Sequence, residues 1–259
     1  MFDAGRRAKL RTIIHLPFPR PMYSNRPLPI AISHRGLRAT ATENSISAFD
    51  AAIEAGAEAI ELDVHASGDG VIYVHHDPVF TIDGTTIAFA AADSSAISKA
   101  KLADDQPIPT LDQTLEAIGM RARVFIEIKA RGIESDVTRC LRRHFDGYDN
   151  YAVHAFDHRV VKRMLELLPT VRTGILQVAY PIDSCSAMRA AGATDLWQHV
   201  DFIDARLVSD VRSCGGRMIA WTANSRTQWE SLSALGVDGI CTDHIDAYVD
   251  WRNEKRGVS

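Results

Sequence analysis

From residue 30 onward the chain repeats one pattern: a short apolar run, a loop, then a stretch with apolar residues at helical spacing. The apolar runs are IAIS (30–33), IELDV (60–64), RVFIEIK (123–129), YAVHAF (151–156), RTGILQ (172–177), VDFIDA (200–205), RMIAWT (217–222) and DGICT (238–242). Helical stretches separate them: one opening at Glu43 and Asn44 and ending near Gly56, then 111–119, 133–145, 157–168, 183–191, 206–214 and 225–235. Glu43 and Asn44 suit the free N–H groups of a helix start. Strands separated by helices are joined by crossovers, and crossovers make neighbouring strands parallel. A further run, GVIYVHHD (70–77), follows Val64 after only a few turn residues. A crossover takes about a dozen residues, so this run returns hairpin-fashion. Setting it aside leaves eight parallel strands, the number that closes a barrel. The expected fold is therefore α/β, an eight-stranded parallel β/α (TIM) barrel with a small insertion after the second strand. The barrel spans 30–259 as a single domain, with the insertion at about 65–110. Residues 1–29 are expected to be an irregular extension, because Pro17, Pro19, Pro21, Pro27 and Pro29 oppose a helix. An open doubly wound sheet is the alternative, but HRGLRATATEN lacks the G-x-G-x-x-G spacing that such a sheet needs after its first strand.

Two strands carry residues that a buried strand does not want. Alternation puts Glu61 and Asp63 on one face of IELDV while Ile60, Leu62 and Val64 point to the helices. In FIEIK, Glu127 and Lys129 share one face and Ile126 and Ile128 the other. Both pairs lie at strand C-termini, the face of a β/α barrel where active sites form, and His34 and Arg35 end the first strand there as well. Like charges a few Å apart repel by roughly 4 kcal/mol per pair at an effective dielectric near 20. Lys129 and Arg35 offset part of that. One divalent cation would offset more, and all-oxygen ligands suit Mg²⁺ or Ca²⁺ rather than zinc. A buried salt-bridge cluster without metal is the competing reading. His34 on one side, and His75 and His76 on the other, flank the acidic strand in sequence, and two imidazoles beside a hard cation suit proton transfer in and out of a phosphate ester.

Together, HRG (34–36), EN (43–44), IELDV (60–64), DGVIYVHHD (69–77), IPTLDQTLE (108–116), IEIK (126–129), AWTAN (220–224) and GVDGICTD (236–243) make the chain resemble the glycerophosphodiester phosphodiesterase family. The resemblance runs in order from about residue 30 to 245. It implies the barrel with its insertion, and hydrolysis of glycerophosphodiesters to glycerol 3-phosphate and an alcohol. It implies that Glu61, Asp63 and Glu127 hold the cation and that His34 and His76 are the general acid/base pair. Arg35 and Lys129 would bind phosphate, Trp221 would line the glycerol pocket, and Glu43 is a further site candidate, with a helix-start role as its alternative. Direct attack by water and a cyclic phosphate made by the neighbouring glycerol hydroxyl both remain open. Departures from the family pattern include Thr42 for proline, Ser45 for threonine, and His154 in HAFD where another polar residue is common. The insertion and His154 are expected to face the variable alcohol. His65 and His75 are expected to point away from the site; Asp243, at the end of the last strand, is expected to cap a loop, with contact with the site as the alternative.

A net charge of −4 gives no pull toward nucleic acid. No apolar run approaches the ~18 residues that span a membrane, and the Arg-rich N-terminus lacks the apolar stretch of a secretory signal. Cys140, Cys185, Cys214 and Cys241 are widely spaced with no C-x-x-C pair, so neither a zinc site nor a disulfide is expected. A reducing, cytoplasmic location follows from that. The expected substrate is a small-molecule glycerophosphodiester. One alternative activity is lysophospholipase D-like hydrolysis, or a lyase reaction, on a lipid; it would need an apolar lip at the barrel mouth, which 79–108 does not supply. A non-catalytic phosphate-ester binding barrel would lack a histidine or a metal ligand, and all are present.

Overall fold

The computed structural model describes residues 27–257 except 145–149 and 184; the extension expected at 1–29 lies outside the described residues apart from 27–29. In chain order the strands are β1 (Ile30–His34), β2 (Ala59–Ala66), β3 (Ile72–Val74), β4 (Val79–Ile82), β5 (Thr85–Ala88), β6 (Arg123–Ile128), β7 (Tyr151–Ala155), β8 (Arg172–Gln177), β9 (Asp195–His199), β10 (Arg217–Trp221) and β11 (Gly239–Thr242). The helices are α1 (Ile46–Glu54), α2 (Ser94–Ile97), α3 (Leu111–Ile118), α4 (Glu134–His144), α5 (His158–Leu167), α6 (Ser186–Ala191), α7 (Ala205–Ser213), α8 (Arg226–Leu235) and α9 (Ile245–Arg256). Strands β1, β2 and β6 to β11 form the parallel sheet, and pairing of β1 with both β2 and β11 closes it into a TIM barrel. β3 runs antiparallel to β2.

Alternation sorts the side chains as the strands require. Ile60, Leu62 and Val64 of β2 pack in the large cluster between barrel and helices. Ile32, Phe125, Leu176, Trp197 and Ile219 fill the barrel interior. The β4–β5 hairpin, α2 and the segments around them have a cluster of their own, including Tyr73, Phe80, Phe89, Ile97 and Ile108.

Three expectations need correction. The strand expected at 200–205 is Asp195–His199 instead; Val200–Phe202 is a 3-10 turn, and Asp204 caps α7 through Leu207 N–H at 2.8 Å. A strand enclosed on both faces need not alternate, and Asp195, buried, is neutralised by Arg217 at 2.7 Å, so a polar-looking run sits inside. The start of α1 is capped by Ser45, whose hydroxyl accepts from Ala48 N–H at 3.1 Å, rather than by Glu43 or Asn44. Finally, Cys185 and Cys214 form a disulfide, with Cα atoms 6.1 Å apart, joining the loop before α6 to the end of α7. Neighbouring βα units bring together residues 29 apart in sequence, which spacing alone does not reveal. The ground for assigning a reducing compartment goes with it.

Candidate active site

Strand register builds the site. His34 lies beside Glu61 across β1–β2; Asp63 lies beside Glu127 across β2–β6; Glu127 lies beside His154 across β6–β7. Five chemically active side chains therefore meet at the C-terminal mouth of the barrel. The turn after β1 brings Arg35 over them. Arg35 itself has φ 61°, and Gly36 has φ 90° with no room for a side chain, since a Cβ would lie 2.6 Å from that of Ala48. Only glycine fits at the third position of HRG.

Asp63 is fully compensated. Arg35 Nε lies 3.0 Å from its Oδ2 and Lys129 Nζ 3.4 Å from its Oδ1, and Asn44 Nδ2 donates to Oδ2 at 3.0 Å. Burial would raise this carboxyl, but Arg35, Lys129 and the Asn44 bond outweigh it and hold it below the usual carboxylate range. Glu61 and Glu127 are not compensated to the same degree. Burial, then repulsion from Asp63, pushes Glu61 up to about 7. Burial, then Asp63 and Glu61, raises Glu127 even though Lys129 lies 2.9 Å from its Oε1. Among the described residues, Glu61 Oε2 is buried with no hydrogen-bond partner, whereas Asp63 Oδ1 faces Lys129. A self-contained salt-bridge cluster would not leave Glu61 so, and the donor set fits a cation better than it fits the metal-free reading.

The histidines are held differently. His34 Nδ1 lies 2.7 Å from Asp243 Oδ1, while Asn224 Nδ2 donates to Asp243 Oδ2 at 2.6 Å and Arg38 Nη1 donates to Oδ1 at 3.1 Å. Burial pulls Asp243 upward, but the His34, Asn224 and Arg38 contacts win and keep it ionised. Asp243 lies in the loop after β11, as expected, and from there it also touches the site, holding His34 through Nδ1. His76 sits at the edge of the insertion with its Nδ1 2.8 Å from Asp77. Its carbonyl is bonded to His65 Nε2 at 3.1 Å. His65 had been expected to face away. Two positions beyond Asp63 it shares that residue's face, and it lies buried, stacked on Phe89 under the insertion. His75 also packs against Phe89 and, with His76, borders the cleft beside the insertion.

Glu43 reaches the site through Arg35, 3.1 Å away, and Arg38, 3.0 Å away. His34, His76, Arg35, Lys129, Glu61 and Trp221 line one cavity of about 120 Å³. His76 also borders a cleft of about 410 Å³ between the β1–α1 loop and the insertion, whose walls mix Glu43, Asp77 and Lys101 with Phe80, Leu102 and Ile108. His154, expected beside the variable alcohol, lies on the cavity floor instead, 1% exposed, with Nε2 3.5 Å from Glu61 Oε1. The loops after β7, β8 and β9 expose Phe156, Val178, Tyr180, Ile182 and Phe202. Phe156 packs edge-on against Trp221 at 5.5 Å, and His199 bridges Trp221 and Phe202. Exposed Phe156 and Phe202 therefore give the Trp221 side of the mouth an apolar edge, away from the insertion. Sequence reasoning also missed Asn44, Arg38 and Asn224. Asn44 and Asn224 carried a signal, as the second residue of the EN pair and the last residue of AWTAN; Arg38 carried none.

A sequence model of the glycerophosphoryl diester phosphodiesterase family matches residues 34–247. A glycerophosphodiester phosphodiesterase of Caldanaerobacter subterraneus subsp. tengcongensis is 27% identical over 237 residues, covering 85% of this chain and 96% of that protein. One from Bacillus altitudinis is 26% identical over 243 residues, covering 86% and 98%. Among solved structures, an Oleispira antarctica phosphodiesterase in complex with the product sn-glycerol-3-phosphate superposes with TM-score 0.79 at 22% identity, covering 88% of this chain and 97% of that one.

Proposed function

This chain belongs to the glycerophosphoryl diester phosphodiesterase family, whose members are phosphoric diester hydrolases, and from that premise we propose that it hydrolyses glycerophosphodiesters to glycerol 3-phosphate and an alcohol by acid/base catalysis between His34 and His76. The observation that carries the reading is the single cavity lined by both imidazoles, two cationic side chains and the uncompensated Glu61.

Glu61, Asp63 and Glu127 would hold one divalent cation. When bound, it supplies charge stabilisation for the phosphoryl oxygens as negative charge builds on them. Arg35 and Lys129 aim the phosphate, their charges already fixed by Asp63, Glu43 and Glu127. His34, with Nδ1 engaged by Asp243, presents Nε2 to the cavity and takes the proton of the attacking hydroxyl. As the new P–O bond forms, the bond to the alcohol breaks. His76, on the border of the larger cleft, gives its proton to the departing oxygen, and the alcohol leaves into that cleft. Trp221 closes the glycerol side, where its buried indole N–H has no protein partner and is free to donate to a glycerol hydroxyl. Either water or the neighbouring glycerol hydroxyl can serve as the attacking group in this geometry.

The apolar edge favours a second substrate reading. An acyl chain on the glycerol end would leave the small cavity past Trp221 and lie on Phe156 and Phe202, which is lysophospholipase D-like hydrolysis at the same centre. Both readings are tested by measuring products from glycerophosphocholine and from a short-chain 1-acyl-lysophosphatidylcholine below its micelle threshold. Release of glycerol 3-phosphate supports the first, and release of lysophosphatidate the second. A Phe202→Ser variant should lose turnover only on the lysolipid. No phosphomonoester from either substrate refutes the hydrolase reading.

A further inference from the structure

We propose that His154 is a direct ligand of the cation, and that the resident ion is therefore a first-row transition ion such as Mn²⁺ or Zn²⁺ rather than Mg²⁺ or Ca²⁺. This rests on the reading that the site holds a cation at all.

Register is the first ground. β7 lies beside β6, so His154 projects into the barrel next to Glu127. Its neighbour on the other side is Gly174 of β8, where a Cβ would come within 2.8 Å of Trp197 Cδ1. The missing side chain lets the Trp197 indole lie across the barrel, and the imidazole stacks on it with centroids 4.3 Å apart and planes 9° from parallel. The ring is therefore clamped in one orientation.

The second ground is an unanswered demand. His154 is 1% exposed, yet among the described residues neither ring nitrogen makes a hydrogen bond, Nε2 lying 3.5 Å from Glu61 Oε1 without bonding it. Buried polar atoms in folded proteins are nearly always partnered, and an orphan calls for a group not made of protein. Glu61, Glu127 and His154 each offer one ligand atom, and the three atoms lie within 4.8 Å of one another. By contrast, Asp112, Cys140 and His144 also converge, but both Cys140 and His144 bond to Asp112, and Arg143 pairs with the same carboxylate. That group is satisfied internally.

The third ground is donor chemistry. The case for Mg²⁺ or Ca²⁺ assumed only oxygen ligands. Carboxylate and water suit those ions, whereas imidazole shifts the preference to borderline transition ions. One nitrogen in the set removes the premise.

The test strips the full-length protein with chelator, reloads it with Mn²⁺ and records pulsed EPR. The expected result is modulation from a coordinated ¹⁴N in the unmodified protein, lost in His154→Gln. His154→Gln should also weaken Mn²⁺ binding by about 100-fold while changing Mg²⁺ binding by less than about threefold, since loss of a direct ligand should reach the upper end of what loss of an outer-shell partner costs. A thermal melt checks that the variant folds, and the measurement on the unmodified protein needs no variant. One Mn²⁺ bound without ¹⁴N coupling, or coupling that survives in His154→Gln, overturns the assignment while leaving the hydrolase reading standing. No Mn²⁺ binding also overturns the assignment, and product release from glycerophosphocholine then decides the hydrolase reading separately.

Discussion

Replacing Glu61 by glutamine should stabilise the cation-free protein while disabling the enzyme. Glu61 is buried at the mouth and its carboxyl is raised from the ordinary 4.5 to about 7, first by burial and then by Asp63. Between those two values the folded state holds a proton that the unfolded state has lost. Stability therefore falls as pH rises from 4.5 through 7, and the loss is complete above 7. At 1.36 kcal/mol per pKa unit the cost approaches about 3 kcal/mol at pH 8. Glutamine keeps the shape and carries no charge, so it escapes this cost. In EDTA at pH 8, Glu61→Gln should unfold at higher urea than the unmodified protein, with a melting temperature roughly 6–10 °C higher. At pH 4, where Glu61 is protonated in both states, the difference should shrink to near zero. Saturating cation should reverse the order, because binding stabilises only the protein that keeps the ligand. Equal or lower stability of the variant at pH 8 in EDTA would refute the claim that Glu61 is an uncompensated buried charge.

Three further outcomes follow from the geometry. His34→Ala and His76→Ala should each lower kcat by about 10²- to 10⁴-fold with unchanged melting temperature, measured by release of glycerol 3-phosphate. Asp243→Asn keeps the shape beside His34 but alters what its Nδ1 meets; kcat should fall at least about tenfold with little change in KM, and a normal kcat would remove Asp243 from the mechanism. Reducing the Cys185–Cys214 bond, which closes a loop spanning a sequence separation of 29, should cost about 3–4 kcal/mol in urea unfolding, with Cys185→Ser behaving the same way without reductant.

The acidic strands were legible because Glu61, Asp63 and Glu127 contradict their apolar neighbours, and the count of eight followed from crossover length. DLWQH was hidden because a doubly enclosed strand need not alternate and its Asp195 is neutralised by a residue from the next strand, Arg217. His154 was misplaced, and the site contact of Asp243 was the lesser reading, for a related reason. Their partners, Glu61, Glu127 and His34, lie on other strands, and only the barrel's register and its closure between β11 and β1 make them neighbours. His65 was a different kind of failure: alternation from Asp63 already placed it on the same face, and β2 continues to Ala66 under the insertion. The apolar edge was missed because Phe156 and Phe202 come from separate loops that sequence does not assemble.

The central claim is that acidic residues at the barrel mouth hold a divalent ion that turnover requires. The direct measurement is the rate of glycerol 3-phosphate release from glycerophosphocholine before chelation, in excess EDTA, and after the cation is restored. Loss of turnover in chelator with recovery on re-addition is the expected result. An undiminished rate in excess EDTA, with no metal detected in the protein, would contradict it.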